Sequence, residues 1–143
     1  MNLKVLAYLT REHKNETQLL VFTHRDYPEA GLQIPAGTVE EGEEIEHALF
    51  REIQEESGLA PDDVNLICKL AVFESQEWQT IRHVFHLAII NPQPDSWDWR
   101  TNDYDNDEAR ARDERLVFCY RWESLKNKID LAGNQRMWLH LIK

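Results

Sequence analysis

Only two cysteines, Cys68 and Cys119, occur in the 143 residues; they lie far apart in apolar stretches and form no CxxC pair. That scarcity points to buried free thiols in a reducing compartment, with the cytoplasm as the default, and away from a disulfide framework. Long hydrophobic runs are also missing. Residues 3–9 are apolar, but Arg11, Glu12, His13 and Lys14 follow at once, so the stretch reads as a first strand and as neither a secretory segment nor a membrane span. A charged fraction of 29% and a mean hydropathy of -0.61 exclude a membrane-embedded chain as well. Basic charge is short too: the net charge is -10 and the pI is near 5.0. Since nucleic-acid affinity rests on lysine and arginine neutralising phosphates, this balance argues against duplex DNA or RNA as a partner. It leaves room for a small phosphorylated substrate, provided divalent cations stand between protein carboxylates and substrate oxygens. No low-complexity stretch, repeat or linker interrupts the sequence, and its length suits one domain over residues 1–143 with a real core.

What is there reads first as strand. Residues 3–9 and 18–24 have strand character, and the polar stretch 11–17 suits a hairpin loop. Residues 26–33 contain Pro28 and Gly31 and read as a loop, after which Ile34, Pro35, Ala36 and Gly37 lead into an acidic segment. The period then changes. Residues 43–57 lack proline and glycine and are mostly good helix formers, with Gly58 as a C-terminal cap. Residues 64–74 and 80–90 are rich in strand formers, and 84–90 are apolar enough for an interior strand. Residues 91–115, with two prolines, Trp97, Trp99 and many aspartates, read as an extended loop carrying a helical turn near Ala109. Strand returns at 116–120. From Ser124 onward the pattern is helical, interrupted near Gly133 and resumed through Met137, Trp138, Leu141 and Ile142.

The chemistry gathers on the helix at 43–57. At about 100° per residue, with Glu52 as zero, Glu56 falls near +40° and Glu55 near -60°, so three carboxylates share roughly 100° of arc. On the same wheel Ile45 sits near +20°, Ala48 near -40° and Leu49 near +60°, so the glutamates continue an apolar face. A solvated acidic helix would place them across from that stripe; here they point toward a cleft or core edge. Two carboxylates about 6 Å apart at an effective dielectric of about 20 repel by roughly 3 kcal/mol, and a third multiplies the penalty. Either their pKa values rise or a divalent cation sits among them, and oxygen-only ligands select a hard ion such as Mg²⁺ or Mn²⁺. Gly37 and Gly42 flank the helix entrance, where backbone can approach closely and amides can face an anion.

Gly37, Glu43 and the run Arg51-Glu52-Ile53-Gln54-Glu55-Glu56-Ser57-Gly58-Leu59 resemble the Nudix box, G-x5-E-x7-R-E-U-x-E-E-x-G-U, at every fixed and both aliphatic positions. The order of strands around the box extends the resemblance over most of the chain. It implies an α/β fold of the α+β kind: an α/β/α sandwich with a central mixed sheet and a catalytic loop-helix-loop. It also implies Mg²⁺- or Mn²⁺-dependent hydrolysis of a diphosphate linkage in a nucleotide-like substrate by water attack at phosphorus. By matched position, Glu52, Glu55 and Glu56 would ligate the metal, Gly37 could add its backbone carbonyl, and Glu55 or Glu56 could instead orient or deprotonate the water. Arg51 and Glu43 would form an ion pair that holds the loop against the helix and aims Glu52. Some members take a further acidic ligand or base from outside the box, and Glu108 and Glu114 are the candidates here. Homodimers are common in the family, so a homodimer is an open expectation.

Other residues carry a plain reading beside the functional one. Arg25 could meet a substrate phosphate, yet a surface ion pair is the commoner fate of such an arginine. Trp97 and Trp99 could stack on a base or cover the core. His83 and His86, three apart on a strand, face opposite ways and suit no shared metal site, while His24 and His47 read as surface or edge residues. The acids from Asp103 to Glu108 read as a solvated loop without EF-hand spacing. Met137 and Trp138 read as core contacts of the last helix. The markers that the resemblance associates with ADP-ribose, dinucleoside polyphosphate and coenzyme A hydrolases are missing: Glu74, Ser75, Gln76 and Glu77 occupy the first two positions, and Pro35-Ala36-Gly37 replaces the last. Elimination leaves nucleoside triphosphates or other nucleoside diphosphate derivatives. The alternative is a catalytically silent domain of the same family that binds a nucleotide or protein partner, against which the intact box stands. An acidic interaction module without metal would leave the repelling carboxylates uncompensated.

Overall fold

In the computed structural model, which describes residues 1–142, the central strands are apolar on both faces, as residues 5–9 and 19–22 show, and seven strands share one mixed sheet. They are β1 (Asn2–His13), β2 (Glu16–His24), β3 (Ala36–Thr38), β4 (Val64–Ser75), β5 (Thr80–Ile89), β6 (Ser96–Arg100) and β7 (Val117–Ser124); helix α1 (Ile45–Ser57) follows β3 and helix α2 (Asp107–Ala111) follows β6. The order across the sheet is β4-β5-β1-β2-β7-β6, with β3 attached to β1. The length of β1 lets it change partners. Residues 4–6 pair antiparallel with β3, residues 10–13 pair antiparallel with β2, and residues 2–10 run parallel to β5 along the other edge. The gap between diverging β1 and β2 is filled by the segment that ends in β3, which bridges back to β2 at Gln33 and Phe22.

Alternation along β1 builds two cores. Val5, Ala7 and Leu9 join Leu20, Phe22, Phe85, Leu87 and Tyr120 beneath Ala48, Leu49 and Ile53 of α1. Leu6 and Tyr8 join Leu19, Val21 and Val84 on the other face, beneath Ile129, Leu131 and Trp138. The mixed sheet with the box helix on one face matches the expected fold. The other layer departs from the expectation. β7 runs through Ser124, and the chain beyond it forms turns and one 3-10 turn at Leu139–Leu141 where a helix was expected. The reason lies in its tethers: Leu125 N–H donates to Thr17 O, Ala132 N–H donates to Leu32 O, and Leu131 bridges Leu32 as a strand would. Those long-range partners outbid the local i to i−4 bonds that the apolar spacing near Trp138 suggested.

A second correction concerns residues 91–115. They contain β6, where Trp97 and Trp99 point inward while Ser96, Asp98 and Arg100 are exposed, a period of two that the prolines and aspartates masked. The helical turn near Ala109 is present as α2, capped by Asn106, whose Oδ1 accepts from Ala109 N–H at 2.8 Å. Cys68 is also corrected: it is an exposed free thiol on β4, an edge strand with two register irregularities, while Cys119 is half-buried. Among the described residues no helix is long and apolar enough to cross a membrane.

β6 contributes to the core through Trp97, which stacks on Tyr120 at 5.1 Å between ring centroids and donates Nε1–H to Ser57 O at 3.0 Å. Trp97→Ala should therefore lower stability by about 3 kcal/mol, whereas Trp78→Ala, at a side chain 68% exposed, should stay within about 0.5 kcal/mol of the parent. Urea unfolding of both variants checks this, and equal losses would contradict the packing described.

Candidate active site

Three of the acids of the box, Glu43, Glu52 and Glu55, are arranged around the guanidinium of Arg51. Its Nε and Nη2 donate to the two oxygens of Glu43 at 2.7 and 2.8 Å, Nη2 also donates to Thr38 O at 3.0 Å, and Nη1 donates to Glu52 at 2.9 Å and Glu55 at 3.1 Å. An arginine has five N–H donors, so all are engaged. The forked contact with Glu43 is the strong bidentate kind. Glu43 is only 8% exposed and also accepts from Glu40 N–H at 3.0 Å. The Arg51 guanidinium holds its carboxyl well below the usual range, and Glu43 in turn keeps Arg51 charged. His47 Nδ1 lies 2.8 Å from Glu43. The chain thus ties the β3–α1 loop to the second turn of the helix through one cation.

Glycine permits the close approach that follows. A Cβ on Gly37 would lie 2.0 Å from Cδ of Glu52, so only a glycine lets that carboxyl rest against the β3 backbone. Burial then pushes the Glu52 carboxyl up, against the pull of Arg51. Glu56, one turn on, accepts from Ala36 N–H at 3.0 Å. Burial raises its pKa to about 8, with smaller contributions in the same direction from the charges of Glu52, Asp103 and Glu55. Glu55 is the exposed member, with 48% of its side chain accessible.

The C-terminal end of α1 is fixed by aromatic donors. Its last carbonyls have no partner within the helix. Gln54 O accepts from Gly58 N–H at 2.9 Å, Glu55 O from Trp99 Nε1–H at 2.8 Å, Glu56 O from Tyr120 Oη–H at 2.8 Å, and Ser57 O from Trp97 Nε1–H at 3.0 Å. Gly58 has φ of 82°, the left-handed cap conformation, and a Cβ there would lie 2.6 Å from the Trp99 ring. Both tryptophans therefore cover the core and cap the helix, the plain reading of the two that the sequence offers.

Outside the box, the structure separates the candidates. Glu108 is exposed on α2, and Glu114 pairs with Arg112 at 2.7 Å. The outside acid whose charge bears on both Glu52 and Glu56 is Asp103. Its loop is held by Asp103 N–H donating to Oγ1 of buried Thr101 at 3.1 Å and by Asp103 O accepting from Leu116 N–H at 2.8 Å. In the sequence Asp103 reads as one of several solvated acids, and its one distinguishing signal is that it closely follows the strand pattern of β6. Arg25 is exposed and pairs with Asp26 at 3.3 Å, the surface fate foreseen for it. His83 and His86 face opposite ways, His83 beside Lys69 and His86 bonded to Thr10. A cavity of about 590 Å³ between the ends of β1 and β5 is lined by Thr10, His86 and Ile90 and holds none of the box residues.

Among the described residues no three acidic, histidine or cysteine side chains already converge as a metal cage; Arg51 draws Glu52 and Glu55 to itself and Ala36 draws Glu56. The donor set nonetheless fits a hard divalent cation: it is all oxygen, two of its members, Glu52 and Glu56, are pushed toward protonation by burial and by neighbouring acids, and Gly37 leaves the backbone open beside Glu52.

Comparison with known proteins bears on family and fold. A family model described as NUDIX domain matches residues 2–136. The chain is 43% identical over 105 residues to the RNA pyrophosphohydrolase of Pseudoalteromonas translucida, an alignment covering 55% of this chain and 61% of that protein. It is 33% identical over 78 residues to the ADP-ribose pyrophosphatase of Methanocaldococcus jannaschii, covering 54% and 44%. The chain therefore spans less than two thirds of the length of these curated relatives. Among solved structures, the MutT NUDIX hydrolase from Burkholderia pseudomallei superposes with a TM-score of 0.63 at 20% identity over 99% of this chain and 98% of that one. A C. elegans Ap4A hydrolase binary complex gives 0.63 at 16% identity over 88% and 82%. These two share the fold.

Two outcomes follow. Because Glu56 binds its proton more tightly folded, at about 8, than as an ordinary carboxyl, its contribution favours the fold at low pH and is lost as pH rises from the unfolded value toward the folded one. In metal-free buffer Glu56→Gln should melt close to the parent near about pH 5 and above it near about pH 9; a melting gap that does not grow with pH would contradict the buried-acid assignment. Arg51→Ala should lower the melting temperature markedly, since it strands Glu43 and frees the loop. Unchanged melting by calorimetry would remove the ion-pair account.

Proposed function

The chain belongs to the Nudix family, and on that premise we propose that it is a divalent-metal-dependent pyrophosphohydrolase of a small nucleotide-like substrate. The observation that carries this reading is the pair of carboxylates inside a complete box, Glu52 against Gly37 and Glu56 against Ala36, both with raised proton affinity. Glu52, Glu55 and Glu56 hold Mg²⁺ or Mn²⁺, and the Gly37 carbonyl adds to them. A cation bound there supplies Lewis acidity toward the diphosphate oxygens. Glu43 fixes Arg51, and Arg51 aims Glu52 and Glu55. Glu55 or Glu56 orients the attacking water or takes its proton. Water adds at phosphorus, the P–O bond of the anhydride breaks, and the products are a nucleoside monophosphate and phosphate, pyrophosphate or a phosphorylated group.

For the substrate, elimination on the sequence favours a nucleoside triphosphate or another nucleoside diphosphate derivative, and the names of the relatives add ADP-ribose and RNA to the panel. The charge of -10 supports a small substrate over a duplex. Two free thiols support a reducing, cytoplasmic setting. A catalytically silent nucleotide- or protein-binding domain is the other reading, and the complete set Glu52, Glu55, Glu56 is the feature against it.

The test is a phosphate-release screen at slightly alkaline pH with Mg²⁺ or Mn²⁺ and an EDTA control, across nucleoside triphosphates and diphosphates, ADP-ribose, diadenosine polyphosphates, coenzyme A and 5′-triphosphate RNA, with auxiliary phosphatase or pyrophosphatase. Turnover of one class, abolished by EDTA and lowered by orders of magnitude in Glu55→Gln or Glu56→Gln with the fold intact, is expected. Full activity in Glu56→Gln would sink the site assignment, and silence of the folded protein across the panel would favour the silent domain.

A further inference from the structure

On the face of the sheet turned away from α1, four register partners form a row: Phe73 on β4, Arg82 on β5, Lys4 on β1 and Thr38 on β3. Their neighbours two residues on, Val84 and Leu6, belong to the core beneath Trp138, so Arg82 and Lys4 lie on that same face. Arg82 is half-buried; its Nη1 donates to Asn134 Oδ1 at 2.6 Å, and its guanidinium lies 5.9 Å from the centre of the Trp138 ring. Lys4 Nζ donates to Thr38 Oγ1 at 2.6 Å.

Among the described residues neither cation has a carboxylate partner. This sets them apart: of the ten arginines in the sequence, eight are ion-paired, and Arg110, the other exception, is exposed over the ring of Tyr104. Like charges directly opposite on adjacent strands destabilise a sheet. Here they stand together in a chain of net charge -10, where carboxylate partners abound. Burial without a counter-ion disfavours the charged form of Arg82 and lowers its pKa, so an anion between the two groups would relieve both penalties.

We propose that Lys4 and Arg82 form a second anion site that takes a phosphate group. The Arg82 fork offers paired donors and the Lys4 ammonium a compact charge, the combination suited to phosphate oxygens. Asn134 and Thr38 border the pair with polar groups, and Phe73, edge-on to Trp138 at 5.7 Å, closes one side with apolar surface. The site is separate from the carboxylate cluster, which lies on α1 against the other face of the sheet. It is mechanically next to it, because Thr38 receives Lys4 through its hydroxyl and Arg51 through its carbonyl.

Titrating the ¹⁵N-labelled full chain with pyrophosphate, then inorganic phosphate, in metal-free buffer tests this. The expected result is saturable binding with amide shifts centred on Lys4, Thr38, Arg82 and Asn134. Arg82→Gln and, as a variant that leaves the Trp138 contact intact, Lys4→Met should each weaken it about tenfold or more. Absence of saturable binding, shifts centred on Glu52 to Glu56, or unchanged affinity in a folded Lys4→Met protein would overturn the proposal.

Discussion

Arg51 and Glu43 are the contact on which the rest of the site depends. The guanidinium is a planar fork of five donors, and the nearly buried Glu43 fixes its plane by accepting with both oxygens. The remaining donors then reach Thr38 on β3 and Glu52 and Glu55 on α1. Loop, strand and helix are joined through one charge, and the spare carboxylates are held near one another against their repulsion. Neither a lysine nor a neutral amide at position 51 could make this set of contacts.

The same helix is fixed from its other end by the sheet. Trp97, Trp99 and Tyr120 arrive from β6 and β7 with one donor each and meet three consecutive carbonyls. Each aromatic ring also packs at the core beneath α1, so a single side chain supplies both burial and the missing hydrogen bond. The donors from β6 and β7 therefore help hold α1 where Glu52 rests against Gly37 and Glu56 against Ala36. Distance along the chain is no guide to distance from the site: Tyr120 and Glu56 are 64 positions apart and share a hydrogen bond.

That contrast explains what the sequence made legible. The box helix was readable because its period, its cap at Gly58 and the spacing of Glu43, Arg51, Glu52, Glu55 and Glu56 are local. The strands β1, β2, β4, β5 and β7 are readable from apolar and strand-forming residues bounded by polar connectors. The chain after Ser124 was misread because apolar spacing at Met137, Trp138, Leu141 and Ile142 suits a helix, while the bonds that prevent one come from Thr17 and Leu32, more than a hundred residues away in the case of Thr17. β6 was hidden because prolines and aspartates around it outweigh a strand of five residues. Asp103 and the aromatic caps follow from tertiary placement alone, which no local pattern encodes.

The central claim is that Arg51 gathers carboxylates whose mutual repulsion a hard cation relieves. Calorimetric titration of the full chain with Mn²⁺, beside its Glu52→Gln variant, tests it most directly. Saturable binding in the parent that is strongly weakened in a folded Glu52→Gln protein is the result the account predicts; no binding in the parent, or equal binding in both, would contradict it.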